Sequence, residues 1–486
     1  MRKILSVFTL FLLMFVSVQA QKDQVAKKII EIAKKDNQVM QHLDVLCNRF
    51  GGRLVGSATY TDACEWAVAQ FKKWGMEVEL DEVGEMPVGF NRGPFYGRMI
   101  SPQYLDLLFQ TPSYTAGTKG LQMGHVVIEP KDSLEFQRVK GKLKGAWVLL
   151  NSKNEGWPVD FYRAKNKVLF LQQMKEAGIL GTIQAAEVPI RALFGKVDSW
   201  DNLPTTPDIK LDSTQFNIIK KAVIEKREVL LEFDIRNHFK MGPVKFYNVI
   251  GIIPGTKYPD EYVLMGGHLD SFDVATGAID NGSGATPAME AARLIMAAGG
   301  KPKRTILVTL WAAEEYGLVG STHWVEKYKD KLPYISNMFN RDGGTNEAVG
   351  INAPEAMMKD MEQIVKPLLD LYPDCPFKLD LKKAGKRPKT AGGTDSQVFS
   401  VAGVPTLTFA TKDYRGYNIN YGETWHTESD YYQKVVPEYQ EHTAVVTAVV
   451  VWGIANLDHL LSRDGYFLPD DAPDPQPKNP VPPDKK

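Results

Sequence analysis

The stretch LMGGHLDSFDVATGAIDNGSG, Leu264 to Gly284, sets His268, Asp270 and Asp280 among small residues directly after an apolar run. Farther on, Glu314 and Glu315 follow TILVTLWAA, Asp342 follows ISNMFNR, and His426 lies in WHTESD, after PTLTFAT and a loop. Each apolar run reads as a strand. In open α/β sheets ligands sit beyond the carboxyl ends of the strands, so five acids and two imidazoles are expected on one rim. Carboxylates crowded in this way repel and raise one another's pKa unless a cation neutralises them. Mixed imidazole and carboxylate donors suit zinc ahead of manganese or cobalt, and the lack of cysteine among them argues against a closed structural zinc site.

Taken singly, each residue has a plainer role. His268 could be a satisfied polar group, Asp280 a helix cap, the Glu pair a solvated loop and Asp342 the start of the Gly343-Gly344 turn. Those roles leave unexplained why consecutive strand ends all carry donors, and the metal site explains them together. Other chemistry is poorly supported. NGSGA around Ser283 lacks the first glycine of G-x-S-x-G, and neither a P-loop nor G-x-G-x-x-G after a strand is present. His42, His125, His238, His323, His442 and His459 are scattered without ligand spacing and read as structural or exposed.

Positioning these groups requires an alternating sheet. Helical spacing marks 24–48 and 60–75, with the Gly-rich RFGGRLVGS between them, and GMEVELDEV alternates like a strand. Residues 84–130 are rich in Gly, Pro and aromatics and show no clear period. From 245 to 460 strand runs alternate with helices, ending in a long helix near 437–458. This predicts an α/β fold with a mixed, mostly parallel sheet sandwiched by helices. Residues 116–240 carry their own strand and helix rhythm and read as an inserted α+β module, which a surface loop tolerates.

The 486 residues are 44% hydrophobic and balance 58 Lys and Arg against 58 Asp and Glu. No positive excess is available for nucleic acid. Residues 1–20 read as a signal peptide cut after Ala20: Arg2 and Lys3, an apolar run too short to span a bilayer, then a small-x-small site. This predicts a secreted or periplasmic protein free of the membrane once processed. The domains are thus expected at 21–115 with 241–465, the insert at 116–240, and a disordered Pro-rich tail at 466–486. Three cysteines exclude a disulfide-stapled fold, with pairing of Cys47 and Cys64 one option beside a core role.

The same motifs resemble the co-catalytic di-zinc exopeptidases of the leucyl aminopeptidase and carboxypeptidase Q type. GGHLDSFDVATGAIDNGSG, KPKRTILVTLWAAEEYGLVGS and the acid of NRDGG line up in order and nearly in spacing. The resemblance implies a zinc exopeptidase fold, a protease-associated-type insert and two zinc ions. It makes Asp280 the bridging ligand, His268 and Asp342 the partners of one ion, Glu315 and His426 those of the other, Glu314 the general base, and Asp270 the group that orients His268. It also implies a cis peptide after Asp280, a short peptide or dipeptide substrate, and leaves a homodimer open. Trp425 stands where the leucyl-type enzymes carry a tyrosine beside the last histidine, so Tyr414 or Tyr421 is needed as substitute oxyanion donor. Rival readings are a glutaminyl cyclase-like transferase with a single zinc, and a binding scaffold without catalysis.

Overall fold

A computed structural model describes residues 24–159, 168–195, 197–371 and 377–469. The expected signal peptide, Cys375 and most of the expected tail lie outside the described residues. The main sheet has five strands: β1 (Glu77–Asn91), β2 (His238–Ile253), β3 (Tyr258–His268), β4 (Arg304–Trp311) and β5 (Ile335–Asn340). Their spatial order is β1-β2-β4-β3-β5. Pairings of β4 with β3 and β3 with β5 are parallel, whereas β1 with β2 and β2 with β4 are antiparallel. The sheet is therefore mixed, and less parallel than the alternation implied.

PTLTFAT does not extend this sheet. It runs beside β5 through Met338 N–H to Pro405 O and Leu407 N–H to Asn337 Oδ1. Its end, Phe409–Lys412, joins a small separate sheet with Glu347–Ala353 and Lys378–Leu381.

Every residue of β4 is buried, which is why RTILVTLW reads as an unbroken run: it has a covered surface on both faces. Three helices of interest lie around the sheet: α1 (Ala58–Lys73), α2 (Ser283–Ala297) and α3 (Pro437–Ala455). Ser57 caps α1 by accepting from Tyr60 N–H at 3.1 Å. α3 is apolar on all sides because it is a core element, packed against α2. Glycines permit the tight rim. A Cβ on Gly266 would lie 1.8 Å from Thr309 O, and one on Gly284 2.1 Å from Arg341 O. GGH and NGSG thus let β3 and α2 close directly onto their neighbours.

β1 and β2 pair from Glu77 with Ile252 to Asn91 with His238, and the insert leaves from that far end. Its eight-stranded sheet begins at Phe95–Ser101 and ends at Leu230–Ile235. The expected boundaries of 116 and 240 were too late and slightly too far. The aromatics that blurred the period at 84–130 are the insert's core: Phe109 meets Phe95 and Phe233 edge-on at 5.1 and 5.2 Å. At the other end order extends past 465, since Tyr466 is buried and its hydroxyl accepts from Thr406 N–H at 2.8 Å. Cys47 and Cys64 are free buried thiols, so the pairing option is not taken.

Arg53, from the motif RFGGRLVGS, is fully buried. Its guanidinium donates to the carbonyls of Leu269, Gly51, Thr276 and Gly277 at 2.7, 3.0, 2.9 and 2.8 Å. Its own amide donates to Ser271 Oγ at 3.0 Å. The loop after β3 is thereby fixed to the N-terminal segment. Arg53→Met strands several buried acceptors, each worth about 1–3 kcal/mol; urea unfolding should show a loss of at least about 3 kcal/mol. Arg53→Lys should recover only a minor part, because one ammonium cannot span the fork.

Candidate metal centre

Each donor arrives from a different element. His268 ends β3, Glu314 and Glu315 follow β4, Asp342 follows β5, and Asp280 precedes α2. His426 comes from the loop before α3 with φ of +58°. Ala313, just before the glutamate pair, also has a left-handed φ of +55°. Such conformations in residues with side chains persist where the surroundings enforce them.

The structure brings the expected residues together. His268 Nε2 lies 3.2 Å from Asp280 Oδ1 and 3.6 Å from Asp342 Oδ1. His426 Nε2 lies 3.3 Å from Asp280 Oδ2 and 3.0 Å from Glu315 Oε2. The two oxygens of Asp280 therefore face the two imidazoles separately, as a bridging carboxylate must. Two groups of three possible ligands result, His268 with Glu314 and Asp342, and Asp280 with Glu315 and His426, their ligand atoms within 4.8 Å of one another. Glu314 thus stands within reach of the first group. The Asp280–Asn281 peptide is cis.

Asp270 works differently from the expectation. His268 Nδ1 donates to the Asp270 backbone carbonyl at 3.0 Å, while the carboxylate is farther, at 3.6 Å. That carboxylate accepts from the amides of Glu314 and Glu315 at 3.1 and 3.3 Å. It therefore holds the glutamate pair, and the chain beside it orients the imidazole.

Electrostatics test whether cations fit. With Nδ1–H committed to a carbonyl, which can only accept, a neutral His268 turns the Nε2 lone pair toward two carboxylates. That nitrogen is buried and lacks a hydrogen bond of proper alignment. Only a proton or a metal relieves this. Without metal, His268 stays protonated far above the usual histidine range, because the bonds to Asp270, Asp280 and Asp342 outweigh the opposing effect of burial. For His426 burial is likewise outweighed, by Asp280 and Glu315, and its pKa rises to about 9. Burial first, then neighbouring carboxylates, push Glu314 to about 9 and Glu315 to about 8. Asp280, despite burial, is held low by both imidazoles. Imidazole and carboxylate donors at this spacing fit divalent zinc.

Three contributors escaped the sequence reading. Asp395 is fully buried, and burial lifts it to about 7, aided by the charges of Asp342 and Asp270. Asp430 accepts from the amides of Ile279 and Asp280 at 2.6 and 3.1 Å; its place in WHTESD, four residues beyond His426, was the available signal. Arg53 lay in a quoted motif without a role. Tyr421, not Tyr414, borders the centre. Its phenol is raised by burial and then by Asp280 and Asp342, whereas Tyr414 is 46% exposed. Trp425 stacks on the His426 ring at 4.2 Å.

The insert also reaches the centre. Phe194 stacks on Tyr316 at 4.1 Å and on Phe272 at 5.5 Å, and Phe272 lies 4.5 Å from the His426 ring. Ile190 O accepts from Glu428 N–H at 3.1 Å, and the Arg191 guanidinium sits 4.8 Å over Trp425.

Comparisons with known proteins agree with this arrangement. Residues 248–451 match Peptidase family M28. Carboxypeptidase Q of Rattus norvegicus is 27% identical over 472 residues, covering 91% of each chain. Among solved structures, a peptidase M28 precursor from Shewanella amazonensis SB2B aligns with TM-score 0.60 and 22% identity over 91% of this chain and 99% of that one. BSAP, a zinc aminopeptidase from Bacillus subtilis, aligns with TM-score 0.54 and 19% identity over 90% and 98%. These likenesses carry the fold, and the sequence match carries the family. The stretch from 248 to 451, which holds both histidines and every acid of the centre, belongs to Peptidase family M28.

Proposed function

We propose that the protein is an exported zinc-dependent exopeptidase, active on short peptides or dipeptides, with two ions per chain. The observation that carries this reading is Asp280, whose two oxygens face His268 and His426 at 3.2 and 3.3 Å. Bound zinc would supply Lewis acidity, lowering the pKa of a water and drawing charge from the substrate carbonyl. Glu314 is the base. It is held at its backbone by Asp270, it is partly shielded from solvent, and its high intrinsic proton affinity suits both taking a proton from water and returning it to the leaving amine. Tyr421 is the candidate donor to the developing oxyanion, in the role that Trp425 cannot fill with a phenol. The kinship with carboxypeptidase Q and a zinc aminopeptidase supports terminal peptide hydrolysis. The predicted leader supports export, and among the described residues no helix is long and apolar enough to cross a membrane.

Glu314→Gln should lower turnover by about 10²–10⁴ while leaving the metal content unchanged; activity within about tenfold of the parent would refute the assigned base. Metal analysis of the purified parent should give two zinc ions per chain and of His268→Ala one. A count of one in the parent would favour the single-zinc transferase.

The pH dependence of the metal-free protein follows from the same groups. Folded Glu315 and Glu314 keep protons up to about pH 8 and 9, and His426 up to about 9. The unfolded chain loses them near the ordinary values of 4.5 and 6.5. The fold then binds more protons than the unfolded chain, so its stability falls as pH rises through this window. Asp280 contributes the opposite slope only at acid pH. Thermal unfolding with chelator should show Tm falling from pH 6 to 9, and the gain on adding zinc should grow over the same range.

A further inference from the structure

The backbone segment that carries the bridging acid is held from both sides. Arg53 takes the carbonyls of Thr276 and Gly277 at 2.9 and 2.8 Å. Asp430 takes the donors: Oδ1 accepts from Ile279 N–H at 2.6 Å and Oδ2 from Asp280 N–H at 3.1 Å. The carbonyl of Asp430 also accepts from the amide and the hydroxyl of Thr276, both at 3.1 Å. Asp430 is 4% exposed and belongs to neither group of possible ligands.

Asp430 also lies in the turn that carries His426. Thr427 N–H bonds to Thr424 O at 3.1 Å, and Asp430 N–H to Thr427 O at 3.3 Å. One carboxylate therefore ties the amide of one ligand to the loop of another. Burying one more acid beside this centre costs desolvation and repulsion. A neutral side chain would avoid that cost, but only a carboxylate offers two acceptor oxygens to two successive amides.

We infer that Asp430 is a positioning residue that sets the separation of Asp280 and His426, and so governs how tightly the second cation is held without touching it. The inference rests on the two-ion reading above. A small change in ligand separation is costly because metal donors must meet the ion within a few tenths of an ångström.

The test is calorimetric titration of zinc into the metal-free full chain. Parent, Asp430→Asn and Asp430→Glu are compared, each also with His426→Ala, with thermal unfolding of the metal-free proteins as the check on folding. The parent should bind two ions. Asp430→Asn should bind one as the parent does and the other at least tenfold more weakly. Asp430→Glu, which keeps both oxygens but displaces them, should weaken that same ion. With His426→Ala present, neither change should alter the remaining affinity by more than twofold. Equal weakening of both ions, no weakening, an effect that persists beside His426→Ala, or loss of the fold in both Asp430 variants would overturn the inference. A parent that binds fewer than two ions would instead refute the two-ion reading.

Discussion

Acidic groups removed from water and pressed together must find positive charge, and that requirement governs the upper rim of this sheet. Asp270, Asp280, Glu315 and Asp342 have side chains at most 9% exposed, and Glu314 and Asp395 crowd them further. Two imidazoles can neutralise part of this charge, but each then spends the lone pair that faces the carboxylates. Divalent ions meet the demand while leaving the imidazoles neutral, and the shape of the site follows from that solution. The acids are divided between two imidazoles, with one carboxylate shared.

Holding such an arrangement requires backbone that cannot relax away from the repulsion. The loop from Leu269 to Asp280 has little regular structure to stiffen it, so side chains take over that role. Arg53 binds its carbonyls and Asp430 its amides, a division of labour set by the sign of each charge. Asp270 acts likewise on the glutamate pair. The centre is thus surrounded by charged residues that coordinate nothing and fix the frame for those that do.

Much of this was legible from the chain because strand ends are readable. Apolar runs such as TILVTLW announce buried strands, and the donors directly after them must share a rim. The cis bond, the bridging role of Asp280 and the neighbourhood of His426 followed from resemblance, and the distances agree with them. What remained hidden was set by contacts between distant segments. Arg53 reaches residues more than two hundred positions away, and no local pattern reports which carbonyls it meets. The role of Asp270 was misassigned for a related reason: two residues along a strand suggests a shared face, yet the chain leaves the strand after His268 and presents its carbonyl instead. The insert boundary was missed because Phe95 and Phe109 serve a core whose other half, Phe233, lies far along the chain. PTLTFAT had the composition of a sheet strand but took a single backbone bond to β5 before departing.

The root of the insert is zipped shut, since Asn91 faces His238 at the end of a long antiparallel pair. Its two ends are held side by side whatever lies between them, so the module can grow, shrink or diverge with little disturbance to the hydrolytic half. Its tip, however, leans on Tyr316, Phe272 and Trp425 beside the ligands. A lineage that remodels this appendage keeps its folding scaffold and alters the walls of its own reaction chamber, so new preferences can arise without touching a single ligand.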